Sequence, residues 1–305
     1  MRIAPQRTLR DAVGCRGIGL HSGQPAAMTL RPAAPDTGIV FRRSDAGAEI
    51  RADWRNSVAS ALSTVLANRD GTQVATVEHL LAALSGNRID NAIVELDGPE
   101  VPVMDGSAAP FVRMIGSAGT KTQDAQRRAI EIMKPVEVIE GDSSAALLPS
   151  SEFSMSFDIE FDNPLIGHQH ISLSIGPGAF NAEIAPARTF GLLDDLPRLH
   201  AAGLARGGSL DNAVVISGNR VLNAGGLRFA DEFVRHKLVD AIGDLFLAGG
   251  AIIGHFRGSR SGHALTRRLL AAVFADPEAW RWTTVLEPAE PVISAWTPAA
   301  TAAAA

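Results

Sequence analysis

The chain has 305 residues, of which 46% are hydrophobic and 20% charged, and carries a formal net charge of −5 at pH 7. That is the balance of a globular protein long enough for two domains of roughly 150 residues each, and it supplies no electrostatic basis for nucleic-acid binding. The single cysteine, Cys15, excludes an intramolecular disulfide and fits a reducing compartment.

The opening stretch MRIAPQRTLRDAVGCRGIGLHSG lacks the apolar core of a secretory signal. No apolar run reaches the roughly 18 residues that cross a bilayer. These features predict a cytoplasmic protein with no transmembrane segment. Residues 72–86 read as a helix, with Val77, Leu80, Leu81 and Leu84 as an apolar stripe and Gly86 as its stop. The alternation in residues 91–97 reads as a strand, followed by a Gly-Pro turn. A polar stretch, TKTQDAQRR (120–128), marks a boundary. Strand-like runs follow at 129–139, 153–161 and 170–175. The segment 186–222 then looks like an excursion, before a second helix near 231–248 and a strand candidate at 251–256. Each half thus places a histidine-bearing helix before a strand, which suggests an internal duplication. The expected fold is α+β with two similar domains, residues 1–124 and 125–289, and a loose tail over 290–305.

The second helix carries the densest chemistry. His236, Asp240 and Asp244 recur every fourth residue, which stacks them on one helix face. An imidazole and a carboxylate one turn apart are half of a zinc site, though such a pair also occurs on a merely solvated face. Glu78 and His79 in the first helix are an ordinary surface pair when taken alone. Beside a metal they divide the labour of a metallohydrolase, since neighbouring helical residues diverge by about 100°. One can then ligate while the other takes a proton from an activated water. His263 follows a glycine that leaves backbone room for a ligand; a plain loop histidine is the competing interpretation. His168 and His170 form an H-x-H pair, but their setting reads as a turn entering a strand rather than a metal site.

Taken together, GIGLHSG (17–23), TVEHLLAAL (76–84), ELDGPEVPVMDGSAAPF (95–111), APARTFG (185–191), GLRFADEFVRHKLVDAIGDL (226–245) and SGHAL (261–265) resemble the UDP-3-O-acyl-N-acetylglucosamine deacetylases. These are zinc amidases of lipid A synthesis in Gram-negative bacteria, and the resemblance runs from about residue 3 to 295. It implies two similar domains, each a sheet packed against paired helices, with a βαβ insert in the second. It implies His79, His236 and Asp240 as ligands of Zn2+, with Fe2+ as an alternative in the cell. Glu78 would be the general base and His263 a protonated partner held by Asp244. Thr189 and Lys237 would donate to the developing oxyanion. The insert, about 186–222, would form an acyl-chain tunnel with Leu192, Leu193, Leu204, Val214, Val215 and Ile216 as candidate lining, although simple core packing explains the same residues. Burying roughly ten methylenes there gives a gross gain of about 8 kcal/mol.

For the substrate, an acylated UDP-amino sugar, the resemblance implies Phe161 against uracil, Arg260 near a phosphate and Phe190 beside the site. Two departures touch this reading. Residues 60–64 (SALST) hold no cysteine where the family often has one, and residues 141–145 (GDSSA) lack a basic residue expected near 143. The resemblance also implies a monomer. The rival expectations are a deacetylase of another amino sugar and a non-catalytic descendant that binds a nucleotide sugar.

Overall fold

The computed structural model describes residues 1–176 and 178–287, so the tail expected over 290–305 lies outside the described residues. Five α-helices occur among them: α1 (Glu78–Gly86), α2 (Ala109–Ala118), α3 (Leu196–Ala201), α4 (Glu232–Phe246) and α5 (His263–Ala275).

The first sheet has the strand order Val13–Ile18, Pro25–Pro32, Ala92–Leu96, Ile39–Arg43, Ala48–Arg51. Only Ala92–Leu96 and Ile39–Arg43 run parallel. Period-2 burial sets its inner face: Ala26, Met28 and Leu30 on one strand, Ala92, Val94 and Leu96 on the next. In α1, every residue from Glu78 to Leu84 is buried, and α1 packs on α2 and α4. A helix made of leucine and alanine on nearly every side is a core helix, and here it carries the polar pair Glu78-His79 into the interior.

The second sheet has the order Val136–Glu140, Ser143–Leu148, Ala251–Ser259, Arg128–Ile132, Trp280–Thr284. The hairpin Phe153–Glu160/His168–Ser174 joins it through a parallel pairing with Ala251–Ser259. Helices α4 and α5 pack on each other and against this sheet. The excursion is a βαβ unit: Phe190–Leu192, then α3, then Val214–Ser217 pairing parallel to the first strand, with Arg220–Val221 added antiparallel. The architecture is therefore α+β, with two sheet-and-helix-pair layers and an insert in the second.

The layers meet where α1 crosses α4. A Cβ on Gly243 would stand 2.0 Å from the carbonyl oxygen of Glu78. Only glycine lets the two backbones come so close, and that approach brings the polar residues of both helices together.

Several expected boundaries move. Helix 72–86 begins only at Glu78, because Gln73–Ala75 is a strand paired with Val65–Ala67. Thr76 then turns the chain at φ 57 before the helix starts. The run 129–139 is two strands, broken at Pro135, which has no amide hydrogen for the ladder. His263 is not a loop residue but the first residue of α5.

Candidate active site

Two helices from opposite halves of the chain supply a three-residue cluster that could hold a metal ion. One ligating atom each from His79, His236 and Asp240 lies within 4.8 Å of the other two, and all three residues are buried. Asp240 Oδ1 stands 3.3 Å from His236 Nε2 and 3.6 Å from His79 Nε2. His236 Nδ1 donates to the carbonyl of Ala187 at 3.0 Å, which leaves Nε2 as the lone-pair nitrogen facing the cluster. Burial lowers His236 to about 4, against the opposing charge of Asp240, so it is a neutral imidazole at pH 7. Burial would raise Asp240, but the surrounding charges, that of Lys237 foremost, outweigh it and hold the carboxyl well below its usual range. Two imidazoles and one carboxylate are a donor set that fits a divalent metal ion.

Glu78 and His263 face each other beside this cluster. Glu78 Oε1 lies 3.9 Å from His263 Nε2, while Glu78 Oε2 accepts from the backbone N–H of Thr64 at 3.0 Å. Burial raises the Glu78 carboxyl above its ordinary value, the direction a proton acceptor near neutrality requires. His263 Nδ1 lies 2.8 Å from Asp244 Oδ2. Burial pulls His263 down, but the charge and hydrogen bond of Asp244, with the charge of Glu78, outweigh it and hold the imidazole up at about 9. A Cβ on Gly262 would stand in open space, so no crowding within the protein demands that glycine.

Lys237 Nζ donates to Asp240 Oδ2 at 2.5 Å and lies on the cavity wall, as does Thr189. The backbone around Thr189 is pinned from both sides. Its N–H donates to the carbonyl of Gly106, and its carbonyl accepts from Val214. Next to it, Arg188 forms an ion pair at 2.8 Å with Glu232, which is fully buried and also accepts from the N–H groups of Arg188 and Arg228. This pair seats the turn whose Ala187 carbonyl orients His236.

Two residues escaped the sequence reading. Thr64 contacts Glu78, Asp244 and His263. His21 lies on the cavity wall with Nδ1 accepting from the N–H of Ala205 and Nε2 buried without a partner. Glu100 clamps its backbone, accepting from the N–H groups of His21 and Ser22 and from the hydroxyl of Thr76. The available signals were, for His21, its place in the GIGLHSG motif and, for Thr64, its place in the SALST stretch (60–64), where the family often has a cysteine near the site.

The cluster opens into a cavity of about 870 Å3. Phe161, Phe190, Leu192, Leu193 and Val215 line it, with Leu196, Leu199, Leu210 and Leu222 from the insert. Phe190 packs edge-on against both Phe161 and Phe233. Val214 and Ile216 are instead buried core, because strand alternation turns them away from the side Val215 occupies. Leu204 is not on the wall either. Arg260 is also absent from it: its guanidinium is paired with Glu160 and lies 3.8 Å from Asp142. His168 and His170 sit exposed on a strand, both beside Asp158, away from the cavity.

The family model for UDP-3-O-acyl N-acetylglycosamine deacetylase matches residues 6–275. The chain is similar to proteins called UDP-3-O-acyl-N-acetylglucosamine deacetylase from Vibrio campbellii (49% identical over 286 residues), Phenylobacterium zucineum (49% over 288) and Vibrio cholerae (48% over 286). Each alignment covers 92% of this chain and 94–97% of the relative. With the matched segment spanning both helices that carry the His79–His236–Asp240 cluster, the chain belongs to the UDP-3-O-acyl N-acetylglycosamine deacetylase family.

Proposed function

We propose that this chain is a metal-dependent amidase that hydrolyses the N-acetyl group of UDP-3-O-[(3R)-3-hydroxyacyl]-N-acetylglucosamine, releasing acetate and leaving the 3-O-acylated UDP-glucosamine that enters lipid A synthesis. The observation that carries this reading is the buried His79–His236–Asp240 cluster beside the Glu78–His263 pair, at one end of an apolar-walled cavity, in a chain of this family.

The metal would be held by His79, His236 and Asp240, and we take it to be zinc, with ferrous iron as the alternative such ligands accept. The chemistry such an ion supplies is a water acidified towards pKa 7 and a polarised amide carbonyl. Glu78 takes the proton from the attacking water on Oε1, since Thr64 already occupies Oε2. As the water oxygen adds to the acetamide carbon, Thr189 and Lys237 donate to the carbonyl oxygen, where negative charge develops. His263 is protonated at neutral pH. It delivers the Nε2 proton to the sugar nitrogen as the C–N bond breaks, giving a free amine and acetate. Asp244 keeps that imidazole charged and aimed.

The acyl chain would lie along Leu192 and Val215 in the insert, and Phe161 and Phe190 would pack against the substrate at the opening. We assign Arg260 to the diphosphate end, which requires it to exchange Glu160 for a phosphate. We place the domain division near residue 124, with the second domain reaching about 289, and take the protein to act as a cytoplasmic monomer. No helix among the described residues is long and apolar enough to cross a membrane.

The deciding experiment is acetate release from the acylated UDP-N-acetylglucosamine, before and after chelation and on adding zinc back. Chelator-sensitive release restored by zinc supports the proposal. Release from the unacylated sugar at the same rate points to another amino sugar, and tight binding without release points to a non-catalytic descendant.

A further inference from the structure

Thr64 lies just before the strand Val65–Ala67, 180 residues from Asp244 and 199 from His263 in sequence. Three of its contacts converge on the reacting groups. Its backbone N–H donates to Glu78 Oε2 at 3.0 Å, its hydroxyl donates to Asp244 Oδ1 at 2.5 Å, and the same Oγ1 stands 3.1 Å from His263 Nδ1. Thr64 and Asp244 are both buried. The carbonyl of Thr64 also accepts from the N–H of Val77, which ties this loop to the start of α1. One residue of the first half thus holds the base on α1 and the acid's partner on α4.

The proton inventory at this cluster has a single solution. An ionised carboxylate only accepts, and a threonine hydroxyl has one hydrogen to give. Thr64 gives that hydrogen to Asp244 Oδ1. Neither neighbour of His263 Nδ1 then has a proton to offer it, since Asp244 Oδ2 and the Thr64 lone pair are both acceptors. His263 Nδ1 must therefore carry hydrogen in both charge states, and Nε2, on the Glu78 side, is the nitrogen that gains and loses a proton. A threonine hydroxyl turned the other way would donate to Nδ1 and strand the labile proton on the wrong side of the ring.

We propose that Thr64 is the positioning residue of this site: by spending its hydroxyl proton on Asp244 and its amide proton on Glu78, it holds Asp244 Oδ2 against His263 Nδ1 and leaves one oxygen of Glu78 free for the reaction. This rests on the hydrolase reading above and adds to it a residue that touches neither metal ligand nor cavity.

The test separates hydroxyl from shape. Thr64→Val keeps the branched shape and the backbone N–H but removes the hydroxyl, while Thr64→Ser keeps the hydroxyl and loses a methyl. We expect Thr64→Val to lower kcat by about 10–100-fold with KM and metal content unchanged, and Thr64→Ser to retain most of the parent rate. Added to Asp244→Asn, Thr64→Val should cost far less than it does alone, because its route to His263 is already cut. Proton NMR of the metal-free protein should show a downfield Nδ1–H signal of His263, hydrogen-bonded to Asp244, in the parent and in Thr64→Ser, and the same signal moved upfield or broadened by exchange in Thr64→Val. An active parent with an equally active Thr64→Val, a serine variant as impaired as the valine one, or an unchanged His263 Nδ1–H signal in Thr64→Val overturns the proposal. A parent that releases no acetate overturns the hydrolase reading and, with it, a part for Thr64 in turnover.

Discussion

Gly243→Ala tests whether the site depends on how closely α1 and α4 approach. The added Cβ would meet the carbonyl carbon, the Cα and the oxygen of Glu78, the last at 2.0 Å, about 1.4 Å short of ordinary van der Waals contact. None of these atoms belongs to a flexible side chain, so the helices themselves must part. Parting them separates Glu78 and His79 from His236, Asp240 and Asp244, and a misplacement of about 1 Å can cost on the order of 10²-fold in rate. Overpacking of a close-packed interior adds a stability loss of about 1–3 kcal/mol. The expected result is a folded protein with a modestly lower Tm, weaker metal retention on dialysis and kcat reduced on the order of 10²-fold. Acetate release, metal content and thermal unfolding on the same preparation measure all three. A Gly243→Ala protein with parental kcat and metal content would refute the claim that this crossing sets the site's geometry.

Other outcomes follow from the same coordinates. Glu78→Ala and His263→Ala should each lower turnover by roughly 10²–10⁴-fold, whereas His79→Ala and Asp240→Ala should lower metal content; a variant in the second pair that retains full metal would remove that residue from the ligand set. His263, raised from 6.5 to about 9, contributes stability that is complete below about pH 6.5 and lost as pH rises through about 9, an effect on the order of 3 kcal/mol. Denaturant unfolding of the metal-free protein should show this decline, and Asp244→Asn should flatten it. Glu232→Gln leaves the mostly buried Arg188 without its counter-charge, so a stability loss of about 3–5 kcal/mol is expected, and an unchanged Tm would contradict the account of that pair. Val215→Trp narrows the insert's side of the cavity and should lower kcat/KM for a long-chain substrate at least about tenfold while sparing a short-chain one; equal losses for both would place the acyl chain elsewhere.

What the amino-acid order determined alone is whatever a single helix or strand decides. A repeat of four residues stacks His236, Asp240 and Asp244 on one face whatever surrounds α4, and adjacency in α1 separates the directions of Glu78 and His79. The motifs around these residues were legible for the same reason, as each is local. Tertiary structure decided the rest. Whether Val214, Val215 or Ile216 meets the cavity depends on which face of a strand the core takes, and a run of three apolar residues does not say. The helix expected from Thr72 starts six residues later because Gln73–Ala75 finds a partner strand, and pairing outweighs a local apolar pattern. Arg260 is held by Glu160 and Asp142 rather than facing the cavity, an outcome of charges brought together only by folding. Thr64 lies 180 residues from Asp244 and 199 from His263; a hydroxyl's role at that distance exists only once α1 has crossed α4, because a hydrogen bond is set by position in space and leaves no period in the chain.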